Sequence, residues 1–127
     1  MKRIDRDKLN SFLESIASEG YEVLVPSEDG LGFTRFDPNV EISIEGITRN
    51  SIKSILFPQT ETLLEWHGDG PPIETPPDET KRLVFGARPC DLRALTLLDR
   101  VFMGEVVDPY YAARRRNTVL FSLACSH

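Results

Sequence analysis

Apolar residues recur along the first part of the chain with two different periods. Leu9, Phe12, Leu13 and Ile16 stand at i, i+3, i+4 and i+7, one stripe of a 3.6-residue repeat, and predict an amphipathic helix over 5–19. Asp5 is placed to cap its first turn, and Gly20 to stop it. The pattern then shortens to alternation. Residues 21–25 (Tyr-Glu-Val-Leu-Val) run into Pro26, residues 31–36 alternate apolar with polar or small positions, and Val40, Ile42 and Ile44 alternate with Glu41, Ser43 and Glu45. Turn residues separate the three runs, which together predict an antiparallel meander with one wet face.

Residues 51–66 carry a mixed signal. Pro58 interrupts the run, and the stretch around Leu63 and Leu64 fits either a helix or a strand. Residues 68–80 hold four of the nine prolines, two glycines and four acids, which predicts an exposed loop or hinge. The last third is different. Residues 82–86 form a buried strand ending at Gly86; Leu92, Leu95, Leu98 and Phe102 mark a helix over 91–103, with Asp91 as its cap. Asp108-Pro109 opens a second helix through Arg116, and residues 118–123 form a second buried strand. Two such strands joined by helices want parallel pairing. The predicted fold is therefore α/β (or α+β): an N-terminal helix and antiparallel meander joined to a β-α-α-β unit in one mixed sheet, forming a single domain over 1–127.

Composition narrows the function. The 127 residues contain 15 Lys and Arg against 20 Asp and Glu, a net charge of −5. That balance disfavours a nucleic-acid binder, whose affinity rests on clustered cations. The charge is uneven: residues 1–80 carry −9 and residues 81–127 carry +4, so the two parts have different surfaces and different neighbours. There is no membrane span and no secretory leader after Met1, so a soluble, cytoplasmic domain is expected. Two cysteines make neither a disulfide scaffold nor, alone, a four-ligand metal site.

The densest chemical signal is Gly86-Ala87-Arg88-Pro89-Cys90-Asp91, at the carboxyl end of a strand, where α/β sheets place ligands. A cysteine at a helix N-terminus beside Arg88 and Arg93 meets conditions that favour its thiolate. The alternative is a plain turn, with Cys90 as a small buried side chain. The glycine spacing and Lys-Ser/Thr pair of a phosphate loop are missing. Cys125 follows the second strand, so parallel pairing brings both thiols to one sheet edge, as half of a metal or iron–sulfur site or as a redox pair. His127 is a further possible ligand. Arg114, Arg115 and Arg116 beside Tyr110 and Tyr111 form either a partner-binding patch or a solvated helix end suited to the helix dipole. His67 has no partner motif, which makes it structural or solvent-exposed.

The run from Phe85 through Gly86-Ala87-Arg88-Pro89-Cys90-Asp91 to Leu95, then Leu98 to Phe102, then Asp108-Pro109-Tyr110-Tyr111 with Arg114-Arg115 and Cys125, resembles one family. It is the group of iron–sulfur electron-transfer proteins that includes the iron–sulfur subunit of anaerobic sulfite reductase and the sulfhydrogenase beta subunit. Leu56-Phe57-Pro58 with Lys53 and Glu61 is similar to an upstream segment of that group. The resemblance covers 53–127 and is weak over 1–50. It implies the N-terminal domain of a longer protein, whose later Cys-x-Cys segment and ferredoxin-like part hold two [4Fe–4S] clusters.

On this resemblance Cys90 and Cys125 would be cluster ligands, with Arg88, Asp91 and Gly86 shaping the site and Arg88 and Arg93 offsetting cluster charge. The cluster would belong to the complete protein, with none held by these residues alone. The partners would be other subunits of a reductase or hydrogenase complex. The competing expectation is a subunit-docking module without a cofactor; a third places a flavin or nicotinamide phosphate at the Gly86–Asp91 turn.

Overall fold

The computed structural model describes residues 4–125. Helix α1 (Arg6–Ser18) leads into strand β1 (Glu22–Pro26), which turns back into β2 (Phe33–Arg35). After an irregular stretch come α2 (Lys53–Leu56), β3 (Leu64–Glu65) and β4 (Ile73–Glu74). The chain closes with β5 (Arg82–Ala87), α3 (Pro89–Phe102), α4 (Pro109–Arg116) and β6 (Thr118–Ser122). One mixed sheet has the order β2-β1-β5-β6: β1 and β2 are antiparallel, while β5 is parallel to both β1 and β6. The expected mixed α/β architecture and the parallel pairing of the two late strands are both present.

The sheet separates two apolar layers, and strand alternation decides which residue joins which. Val23 and Val25 of β1 and Leu83 and Phe85 of β5 pack with Leu13 of α1 and Ile42. Leu9, Phe12 and Ile16, the rest of the predicted stripe, cover the same layer. On the opposite face, Leu24 and Val84 meet Ile52, Leu56, Leu95 and Tyr111. Each such side chain, fully buried, contributes about 1.5–3 kcal/mol.

Gly86 breaks the alternation. The register passes from Phe85 opposite Phe121 to Ala87 opposite Ser122, so two residues of β5 span one of β6. Parity alone would put Ala87 beside Phe85; after the bulge it packs in the α3 layer with Leu24 and Val84. Gly86 holds φ +96°, left-handed backbone that a side chain resists. The expectation that Gly86 ends the strand is thus corrected: it re-aims the strand one residue before its end.

Other local expectations are also revised. Residues 40–45 do not form a third strand of the meander, although Ile42 is buried. The carbonyls of Ile44 and Gly46 accept hydrogen bonds from the Arg88 guanidinium, and the sheet ends at β2. Asp5 precedes α1 without a side-chain capping bond, its carboxylate lying 3.7 Å from exposed Lys8. Helix α3 starts at Pro89, with Arg88 in the capping position, so Asp91 lies inside the first turn. Asp108 does cap α4, accepting from the N–H groups of Tyr110 and Tyr111 at 2.9 and 3.0 Å. The 68–80 loop includes β4, which pairs with β3 as a short antiparallel hairpin. Among the described residues no helix is long and apolar enough to cross a membrane.

Candidate functional site

The strands β1, β5 and β6 all end at one edge of the sheet. Ala87 pairs with Ser122, and its carbonyl accepts from Leu123 N–H at 2.9 Å, so the two chains stay in register past the last strand residue. Cys90 lies three residues beyond Ala87, in the first turn of α3, and Cys125 three residues beyond Ser122. Both are free thiols and both are exposed. Cys90 is therefore not the small buried side chain of the simpler sequence alternative.

The turn around Cys90 is fixed by its neighbours. Arg88 donates from one terminal nitrogen to the carbonyls of Ile44, at 3.1 Å, and Gly46. Asp91 accepts from Ser51 Oγ at 2.6 Å. Gly86, Arg88, Pro26 and Ser27 line a small cleft with Ser43, Gly46 and Thr48, about 20 Å³ in volume. Beside it Asp29 accepts from Ser27 Oγ and Leu31 N–H, bonds that hold its carboxyl below the usual range. Arg93 is exposed on α3. Sequence reasoning missed Ser51 and the 44–46 carbonyls, because nothing in the spacing of residues 40 or more positions apart announces contact.

A [4Fe–4S] cluster takes four thiolates. The described residues offer two, and among them no group of three or more His, Cys, Asp or Glu is arranged for a metal ion. Exposed thiols are the kind of donor such a cluster takes, and the two described cysteines do not complete a site. His127 lies outside the described residues.

The predicted aromatic and cationic patch resolves into separate parts. Tyr111 is 1% exposed and belongs to the core, where its hydroxyl donates to Asp99 Oδ1 at 2.7 Å. Burial, and then the Asp99 hydrogen bond, push that phenol well above its ordinary range. Arg115 Nε reaches both Asp99 oxygens at 3.1 and 3.2 Å. Arg114 pairs with Glu61 and, at 3.8 Å, with Asp78; its side chain is only 13% exposed. Tyr110 donates through its hydroxyl to the carbonyl of Thr75 at 2.7 Å. Arg116 is exposed and, among the described residues, has no ion-pair partner. Tyr111 is thereby corrected from a contact residue to a core residue, and Tyr110, Arg114 and Arg115 are committed to contacts within the chain.

Those contacts fasten an exposed arm. Residues 59–80 carry the β3–β4 hairpin, whose Leu64, Trp66 and Ile73 stand in solvent. Beneath it Phe57, Leu63, Val101, Val106 and Val107 border an open groove of about 690 Å³. His67 is exposed, with Glu65 at 3.4 Å.

No protein-family model and no solved structure matches the chain. Sulfhydrogenase 2 subunit beta of Pyrococcus furiosus is 31% identical to it over 67 residues, which are 53% of this chain and 17% of that protein. The match thus spans less than a fifth of the relative's length.

Proposed function

We propose that this chain is the N-terminal part of an iron–sulfur electron-transfer subunit, working with a catalytic partner subunit of sulfite reductase or hydrogenase type. Cys90 and Cys125 supply two thiolates to a [4Fe–4S] cluster whose other ligands come from elsewhere in the complete protein. Gly86, Arg88 and Asp91 shape the turn that presents Cys90. Kinship with a sulfhydrogenase beta subunit supports the electron-transfer role and the presence of partner subunits. The observation that carries the ligand assignment is the parallel β5–β6 register, which sends both cysteine-bearing segments out of one sheet edge, exposed. Soft thiolates are the ligands such clusters take.

The test is reconstitution of the complete protein with Cys90→Ser and with Cys125→Ser. Each variant loses iron and the visible and paramagnetic signature of one cluster; unchanged iron content and spectra in both would overturn the assignment.

A docking module without a cofactor is the second reading, and the exposed groove and hairpin favour it. Under it, both serine variants assemble with the partner subunits as the parent does and carry as much iron.

A further inference from the structure

We infer that Ser51 is a positioning residue for Cys90, acting through Asp91, and that residues 44–51 form the brace that holds the Cys90 turn in place; this gives Ser51 a purpose that rests on Cys90 being a ligand. The residues on both sides of Cys90 grip the same distant segment. Two positions before it, Arg88 donates to the carbonyls of Ile44 and Gly46. One position after it, Asp91 accepts from Ser51. The segment is pinned on its other side as well, since Arg49 N–H and Asn50 N–H donate to the carbonyls of Gly30 and Leu31 at 2.9 and 2.8 Å. The Cys90 turn is thereby tied to the turn that follows β1.

Asp91 spends its carboxylate outside its own helix. An acid at the third helical position ordinarily reaches back to the free N–H groups of the first turn. Here that role is not called on, since Pro89 has no N–H and the Asp91 N–H already donates to the Arg88 carbonyl at 3.0 Å. Instead the Asp91 carboxylate takes the Ser51 hydroxyl at 2.6 Å, across 40 positions of sequence. The same hydroxyl accepts from Lys53 N–H at 3.3 Å, at the start of α2. One O–H group therefore joins the beginnings of two helices, donating to one and accepting from the other. Serine or threonine can do both; alanine can do neither.

The test reads each thiol separately in the reduced chain, by iodoacetamide alkylation rates followed with peptide mass spectrometry. Ser51→Ala shifts the Cys90 rate by about three- to tenfold, the weight of one ordinary hydrogen bond, because the thiol is already exposed and loses only its fixed setting. The Cys125 rate stays at the parent value, and Ser51→Thr returns the Cys90 rate to it. An unchanged Cys90 rate in Ser51→Ala would overturn the inference. So would a parallel shift at both cysteines, which marks general loosening, or a threonine variant that behaves like alanine. Iron enters none of these measurements. Loss of the ligand assignment is read from the cysteine-to-serine variants alone, and failure of the brace from the alkylation rates alone.

Discussion

The ring of Pro26 closes over the one residue of β5 that has no side chain. A β-carbon on Gly86 would lie 2.5 Å from Pro26 Cγ and 2.9 Å from Pro26 Cδ. Two constraints therefore act at this position, a left-handed backbone and a proline of the neighbouring strand, and together they hold the bulge that sends Ala87 into the α3 layer.

Gly86→Ala is expected to destabilise the fold by about 2–3 kcal/mol, from backbone strain plus the displaced ring. Pro26→Ala introduced alongside it relieves the contact and leaves the strain, so it recovers part of the loss. Urea unfolding of the two single variants and the double variant checks this. Strict additivity would show that the contact carries nothing.

Asp99 serves two donors at once, the Tyr111 hydroxyl and the Arg115 guanidinium. Removing the acceptor strands a buried hydroxyl, so Asp99→Ala costs about 1–3 kcal/mol, whereas Tyr111→Phe removes donor and need together and costs about 1 kcal/mol or less. In a thermodynamic cycle the double variant is less destabilised than the sum.

Asp78 gives a pH signature. Partial burial on its own would raise its carboxyl, but hydrogen bonds from Thr80 and Arg82 outweigh that and hold it at about 2, against an ordinary 3.8. A pKa lowered by folding means stability that is fully present above the ordinary value and is lost as pH falls from 3.8 toward 2. The side chain is 29% exposed, so screening leaves about 1 kcal/mol. Parent and Asp78→Asn should differ by that amount in urea unfolding at about pH 5 and converge at about pH 2.

Arg114→Ala tests how the arm is held. Glu61 and Asp78 both lose a partner, while the two apolar layers stay intact. Hydrogen exchange should quicken across residues 61–78 with little change in β5 and β6, the pattern of local rather than global opening. Protection lost equally throughout would place Arg114 in the global core.

Periodicity made α1, β1, α3 and β6 legible in advance, because each carries an apolar stripe or run that only one element satisfies, while α4 was marked by its Asp108-Pro109 start. Ile42 and Ile44 alternate as strand residues do and still form no strand. Burial explains the pattern equally well, and the backbone bonds went to Arg88, a choice made 44 positions away. The strand-to-helix turn that carries Cys90 was legible. Its brace was not, since Ser51 is an ordinary polar residue until Asp91 faces it. The cationic patch misled for the same reason: Arg114 and Arg115 look free in sequence, and their acids come from other elements.

The two thiols stand 35 positions apart in sequence. Only the completed crossover through α3 and α4 delivers them to a common edge. A ligand held by both, as proposed, would therefore bind the folded crossover and not the open chain, and its binding free energy would add directly to the stability of that unit. Loading and folding would then be one equilibrium, and stripping the ligand would be felt first as loosening between β5 and β6.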